Sequence, residues 1–383
     1  MNRIALSAVL VLAGGWTLAP ADDPDWPNLD FTRHDAFQAI DAEGDGTFPL
    51  TDPVRMRGVI LNRPGDMVDV TADAPEFLGG QWQIVLAAVD LPADAWDDAD
   101  FGGTALWIGQ KYGNLPFIGD PAQSYTAAEW VAEIARLNHD PTTGRRFRPG
   151  DLVELHARAP GLFHAGKTNI NEQHTNAPEQ DFDLHLLQPG FGLPAPHVIT
   201  LADLKHANDT YIFDGSRQTG PERHQGSLVR ITNVSFVDAG AWGPGATLTV
   251  QDATGRTFPV LLGRGRCFSI YAAPAPPFDI LGILDQEDDD GNDGYKHGYR
   301  LWVMGYDGSA FMIPSYPADY DGDNDVDLTD YGVFLTCYNG PAKAPAQTPC
   351  DDADFDSDGD VDLTDYGTFL DCYNGPGKAP ACP

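Results

Sequence analysis

Positive charge is scarce in this chain. Lys and Arg total 23 of 383 residues against 57 Asp and Glu, a formal net charge of −34. Affinity for a nucleic-acid backbone comes from Lys and Arg, so a general nucleic-acid role is excluded. Attraction to an anionic membrane surface is disfavoured on the same ground. Cysteine is sparse too, with five residues, four of them in the last 47 positions. Cys267 stands alone in the body and reads as a buried apolar side chain rather than a nucleophile. Beyond the N-terminus no apolar run reaches the roughly 20 residues of a membrane span. Catalytic signatures are missing as well: there is no G-x-S-x-G, no H-E-x-x-H and no P-loop. A glycosidase needs two carboxylates about 5–10 Å apart, and nothing selects such a pair here.

Enough remains to build a folded protein. Hydrophobic residues make up 42%, and Gly (41) and Pro (31) mark a turn-rich chain. Arg3 precedes an apolar run to Trp16, Ala19-Pro-Ala21 offers a cleavage site, and Asp22-Asp23 follow at once. This pattern reads as a secretory signal peptide over residues 1–21. The mature protein is then expected to be exported, extracellular or at the cell surface, where disulfides persist.

The tail is duplicated. Asp319–Pro341 and Asp354–Pro376 align 35 residues apart, the most informative feature of the chain. Each repeat opens with a twelve-residue loop bearing oxygen ligands at positions 1, 3, 5, 9 and 12. These are Asp319, Asp321, Asp323, Asp327 and Asp330, then Asp354, Asp356, Asp358, Asp362 and Asp365. Position 7, Asp325 or Asp360, can offer its backbone carbonyl. A hard cation such as Ca²⁺ takes about six to eight oxygens, so two Ca²⁺ ions are expected. A short helix follows each loop. Tyr331, Phe334, Leu335 and Tyr338 form one apolar stripe, repeated by Tyr366, Phe369, Leu370 and Tyr373. Asn-Gly-Pro then stops each helix. Four tail cysteines allow three pairings; the spacing favours Cys337–Cys350 and Cys372–Cys382, each tying a helix to the segment after it. From Asp319 onward there are fifteen Asp and two Lys, a net −13. Folding of the tail should therefore require the cation.

On these residues the tail, 317–383, resembles a type I dockerin of the kind ending in Cys-Tyr-Asn-Gly-Pro. The resemblance implies a duplicated EF-hand-like module that binds two Ca²⁺ and docks onto a cohesin domain. It places partner recognition at Leu328-Thr329 and Leu363-Thr364. Leu stands there where the family more often has a polar residue. Identity of the pair in both repeats implies docking in two orientations.

The body reads as mainly β, in two tandem OB-like five-stranded barrels. A leading segment covers 22–53. The first barrel spans 54–189, with strands at 54–61, 82–88, 104–108, 151–159 and 183–187. Thr126 and Glu129 form a capping box for a helix over 126–138. A connector, 190–226, carries one helix near 201–208. The second barrel spans 227–316, with strands at 227–237, 247–251, 256–262, 278–284 and 299–303, and no helix is expected in it. A β-sandwich gives similar short strands and stays open as an alternative. Segments such as Gly102–Asn114 and Tyr299–Met304 loosely resemble uncharacterised secreted bacterial proteins with OB-like modules.

Three polar clusters in the body are candidates for chemistry. Asp41–Asp52 has oxygens at positions 1, 3, 5 and 12 of a loop, but Pro49 stands at position 9 and a surface turn is favoured. Glu172 and His174, with Lys167 nearby and His139 and His164 elsewhere, are an acid–base or metal candidate; a hydrogen-bonded loop is favoured. Asp285–Gly294 is an acidic loop that reads as solvated before it reads as a cation site. No catalytic residue is assigned. The leading expectation is a secreted binding or scaffold protein that docks in a calcium-dependent way on a cohesin-type or cell-surface partner. A polysaccharide-degrading component of a secreted complex is the alternative, and an OB-type nucleic-acid accessory is disfavoured by charge.

Overall fold

The computed structural model describes residues 24–68, 80–91, 98–110, 125–158, 161–171, 182–264, 267–288, 294–314, 318–320, 325–343, 350–353, 355, 360–376 and 378. The short helix α1 (His34–Phe37) leads into a seven-stranded sheet. Its strands are β1 (Val54–Ile60), β2 (Gln81–Ala87), β3 (Gly103–Gly109), β4 (Leu152–Ala157), β5 (Leu162–His164), β6 (Lys167–Asn171) and β7 (Phe182–Gln188), and α2 (Ala127–Asn138) lies between β3 and β4. The order across the sheet is β5-β6-β3-β2-β1-β4-β7. All pairings are antiparallel except β3–β6. Alternation along the strands sends Met56, Trp82, Ile84, Leu106, Val153 and Leu155 into one core. The Thr126 capping box forms as expected. Trp130, Ile134 and Leu137 of α2 pack on that core, and Asn138 Oδ1 accepts from the Trp82 indole at 2.8 Å.

The sequence reading expected five strands here, and the sheet has seven. The two additional strands form the β5–β6 hairpin. Residues 167–171, read as a polar loop, are a strand in which every residue is buried.

The second sheet contains β8 (His197–Ile199), β9 (Leu228–Phe236), β10 (Thr247–Gln251), β11 (Thr257–Leu262), β12 (Phe278–Gln286) and β13 (Tyr299–Val303). The connector helices α3 (Leu201–Leu204) and α4 (Gly220–His224) precede β9, and α5 (Cys267–Ile270) precedes β12. Strands β10-β11-β13-β12-β9 run in that order, and β9 also pairs with β10, closing a five-stranded barrel. The five barrel strands match the five expected. Two helices do not. α3 stops at Leu204, short of Asn208, because the chain turns at Asp209 with φ +65°. α5 was not expected; four residues are too short to show helical periodicity.

A small ribbon, β14 (Gly305–Tyr306) and β15 (Phe311–Met312), leads to the tail helices α6 (Leu328–Cys337) and α7 (Leu363–Cys372). The body sheets share a core: Leu61, Met67, Val85 and Ala87 of the first pack with the barrel interior. A polar seam continues this contact. Lys167 Nζ lies 2.7 Å from Asp285 Oδ1, 2.6 Å from the Gln286 carbonyl and 2.9 Å from Glu287 Oε2. Asp285 also accepts from Arg300 and from the Trp302 indole. Burial would raise the Asp285 pKa, but Lys167 and Arg300 outweigh it and hold it at about 2. β6 is polar because it faces this seam.

Candidate metal centre

The end of each tail loop reads Asp-Val-Asp-Leu-Thr-Asp. Its second Asp is the N-cap of the helix and its third is residue N3. Asp327 Oδ1 accepts from the Thr329 amide at 2.7 Å, and Asp330 Oδ2 from the Asp327 amide at 2.8 Å. Asp362 and Asp365 repeat both bonds at 2.7 Å. Carboxylates are favoured at this end because the first helical amides are unpaired and the dipole is positive. The N3 aspartate also ties the start of the loop to its end. Asp330 Oδ1 accepts from the Tyr320 amide at 2.7 Å, and Asp365 Oδ1 from the Phe355 amide at 2.6 Å.

These bonds gather two triads of carboxylates, Asp325 with Asp327 and Asp330, and Asp360 with Asp362 and Asp365. Within each, one oxygen per residue lies within 4.8 Å of the others, close enough to hold a metal ion. Two oxygens bound to one Ca²⁺ stand at most about 5 Å apart, so the triads fit such an ion. The sequence reading used position 7 for its carbonyl; the structure brings the carboxylates of Asp325 and Asp360 into the triads. Asp319 is buried and lies apart from its triad, 3.8 Å from Arg63 Nη2 in the body. Asp321, Asp323, Asp354, Asp356 and Asp358 lie outside the described residues.

No family model matches this chain, and no curated protein matches it. The case for function therefore rests on the residues themselves.

Behind the triads the tail has its own core: Val326, Phe334, Val361 and Phe369 with Ala318 and Ala353. Phe334 and Phe369 meet at 5.3 Å between ring centroids. The apolar stripe of each helix splits. Phe334 and Phe369 are buried, whereas Leu335 is 51% and Leu370 49% exposed. Leu328 and Leu363 are 70% exposed, beside exposed Thr329 and Thr364. The Cys337–Cys350 disulfide is formed. Cys372 is disulfide-bonded as well, and Cys382 lies outside the described residues. No helix among the described residues is long and apolar enough to cross a membrane.

The body candidates resolve differently. Asp41 Oδ1 accepts from the Glu43 and Asp45 amides at 2.8 and 3.1 Å, the mark of a turn. Lys167 belongs to the seam. His164 Nε2 lies 3.7 Å from Glu287, and His139 bonds the Ala135 carbonyl. Glu172 and His174 lie outside the described residues. Of the acidic loop, Asp285 and Glu287 are seam partners, and Asp288 accepts from the His297 amide at 2.9 Å. Cys267 is buried, and burial pushes its thiol up to about 12, which fits an inert core residue.

Proposed function

We propose that residues 317–383 are a calcium-binding, dockerin-like module that docks a secreted β-rich body onto a partner. The observation that carries the reading is the pair of matched Asp triads, each at the start of a helix that presents exposed leucines. Calcium suits a site built only of carboxylates and carbonyls, because hard cations prefer oxygen. Asp319, Asp321 and Asp323 would complete the first oxygen set, and Asp354, Asp356 and Asp358 the second. The ion offsets the repulsion of three clustered carboxylates and so couples uptake to folding.

The docking face is the second half of the proposal. Leu328, Thr329 and Leu335 on one helix, and Leu363, Thr364 and Leu370 on the other, leave apolar surface uncovered. Burying a leucine stabilises by about 1.5–3 kcal/mol, so these side chains favour a protein partner of cohesin type. The repeat of the face supports engagement in either of two orientations. In the body, the closed five-stranded barrel supports the OB-like reading. The disulfide supports an oxidising, extracellular location.

The test is a calcium titration of the full chain together with capture on an immobilised cohesin domain. Two bound ions and retention that chelator abolishes are expected. Leu328→Asp with Leu363→Asp should weaken retention at least tenfold while calcium uptake is unchanged. Retention that persists in chelator, or in the double leucine variant, would overturn the docking face.

A further inference from the structure

Each tail helix ends in an Asn-Gly-Pro turn, and each turn closes on the loop of the other repeat. The amides of Asn339 and Gly340 donate to the Val361 carbonyl at 3.1 and 3.0 Å. In the reciprocal contact, the amides of Asn374 and Gly375 donate to the Val326 carbonyl at 3.1 Å each. The Asn339 side chain adds a bond, its Oδ1 accepting from the Val361 amide at 3.1 Å. The Ala342 amide donates to Asp360 Oδ2, so a triad carboxylate is itself held by the other repeat. Gly340 and Gly375 adopt φ +81° and +84°, a conformation that costs glycine nothing.

The valines sit inside the triads. Val326 lies between Asp325 and Asp327, and Val361 between Asp360 and Asp362; both are fully buried. The contacts thus close a ring. The first triad sits at the start of α6, α6 ends in the turn that grips Val361, and Val361 is the midpoint of the second triad. From there α7 leads to the turn that grips Val326, back in the first triad.

We propose that these crossed turns couple the two triads, so that metal uptake at one orders the other. The proposal rests on the reading of the triads as calcium sites and adds their regulation. An ion that fixes the loop backbone around Val326 fixes the acceptor for the α7 turn. That turn in turn fixes the helix whose N-terminus carries Asp362 and Asp365. Coupling of this kind is reciprocal by thermodynamic necessity. The tail then passes from an open to a docking-competent state over a narrow range of calcium concentration.

The experiment is a calcium titration of the full chain by calorimetry, starting from chelator-treated protein. Two ions with a Hill coefficient above one are expected. Asp330→Ala should weaken uptake at the second triad by about 5–150-fold, the usual span of coupling between sites. Asn339→Ala removes only the side-chain bond to Val361; it should move the Hill coefficient towards one with two ions still bound. Two ions binding independently, with the second triad at full affinity in Asp330→Ala, would overturn the coupling and leave the calcium reading intact. A chain that takes up no Ca²⁺ overturns both.

Discussion

Glu222 is the buried acid on which pH should act. It sits at the foot of α4 with no exposed surface. Its Oε1 accepts from the Tyr299 hydroxyl at 2.5 Å, and Arg217 Nε lies 3.7 Å from Oε2. Burial pushes its pKa up from 4.5 to about 7, against the opposing pull of Arg217 and the Tyr299 bond. Arg217 reaches from the connector to the Asp35 carbonyl at 3.4 Å, so this cluster fastens the connector between the two sheets. The folded state holds the proton more tightly than the unfolded chain does. Its contribution is therefore complete below pH 4.5 and is lost as pH rises towards 7. The size is on the order of 3 kcal/mol. Glu222→Gln keeps an acceptor for Tyr299 and cannot ionise. Urea midpoints for the two proteins should diverge in favour of the variant between pH 5 and pH 7, a window set by the shift from 4.5 to about 7. Parallel pH profiles would refute the assignment. Nothing local in the sequence marks Glu222, because Tyr299 lies 77 positions away.

The elements that were legible are those whose signals are local. The helix with the Thr126 box, the five barrel strands and the two tail helices all follow from caps, periodicity and turns within their own segments. Strand β6 was not, because its residues answer to a distant partner. Lys167 pairs with Asp285 across 118 positions, and without that partner Lys-Thr-Asn-Ile-Asn looks like a loop. The tail stripe failed in a different way. Periodicity placed Leu335 and Leu370 with the core, but two short helices cover only one side of each other, and these leucines stay outside. At β6 the seam gives a direct test. Lys167 is buried, and its pKa is raised because Asp285 and Glu287 outweigh the burial that would lower it. Lys167→Met leaves those two carboxylates with one fewer cation. Removing one partner of a buried pair costs about 3–5 kcal/mol, and urea denaturation at neutral pH should show a loss of that order. A loss under 1 kcal/mol would mean that the seam is hydrated enough to screen the charges.

At the scale of the whole molecule, the arrangement of cores decides what unfolds with what. The barrel core takes in Leu61, Met67, Val85 and Ala87 from the first sheet, and the Lys167 seam lies over the same boundary. The two sheets should therefore melt together. The tail core draws only on residues from Ala318 onward, while Ile313 already belongs to the barrel core. The tail is thus held close to the body, yet its stability comes from its own aromatic contacts and from its carboxylates. On the calcium reading, metal acts on that part alone. An ion at 100 times its dissociation constant adds about 2.7 kcal/mol, so two ions add roughly 5 kcal/mol. For a module of this size that is roughly 20–40 °C in melting temperature. Calorimetry of the full chain should show two transitions in calcium. Chelator should move the tail transition down by an amount of that order and leave the body transition in place. A single transition that shifts as one would mean that contacts such as Arg63–Asp319, 3.8 Å apart, bind tail and body into one cooperative unit. Calcium would then be a ligand of the whole fold, and chelation would unfold the barrel along with the docking surface.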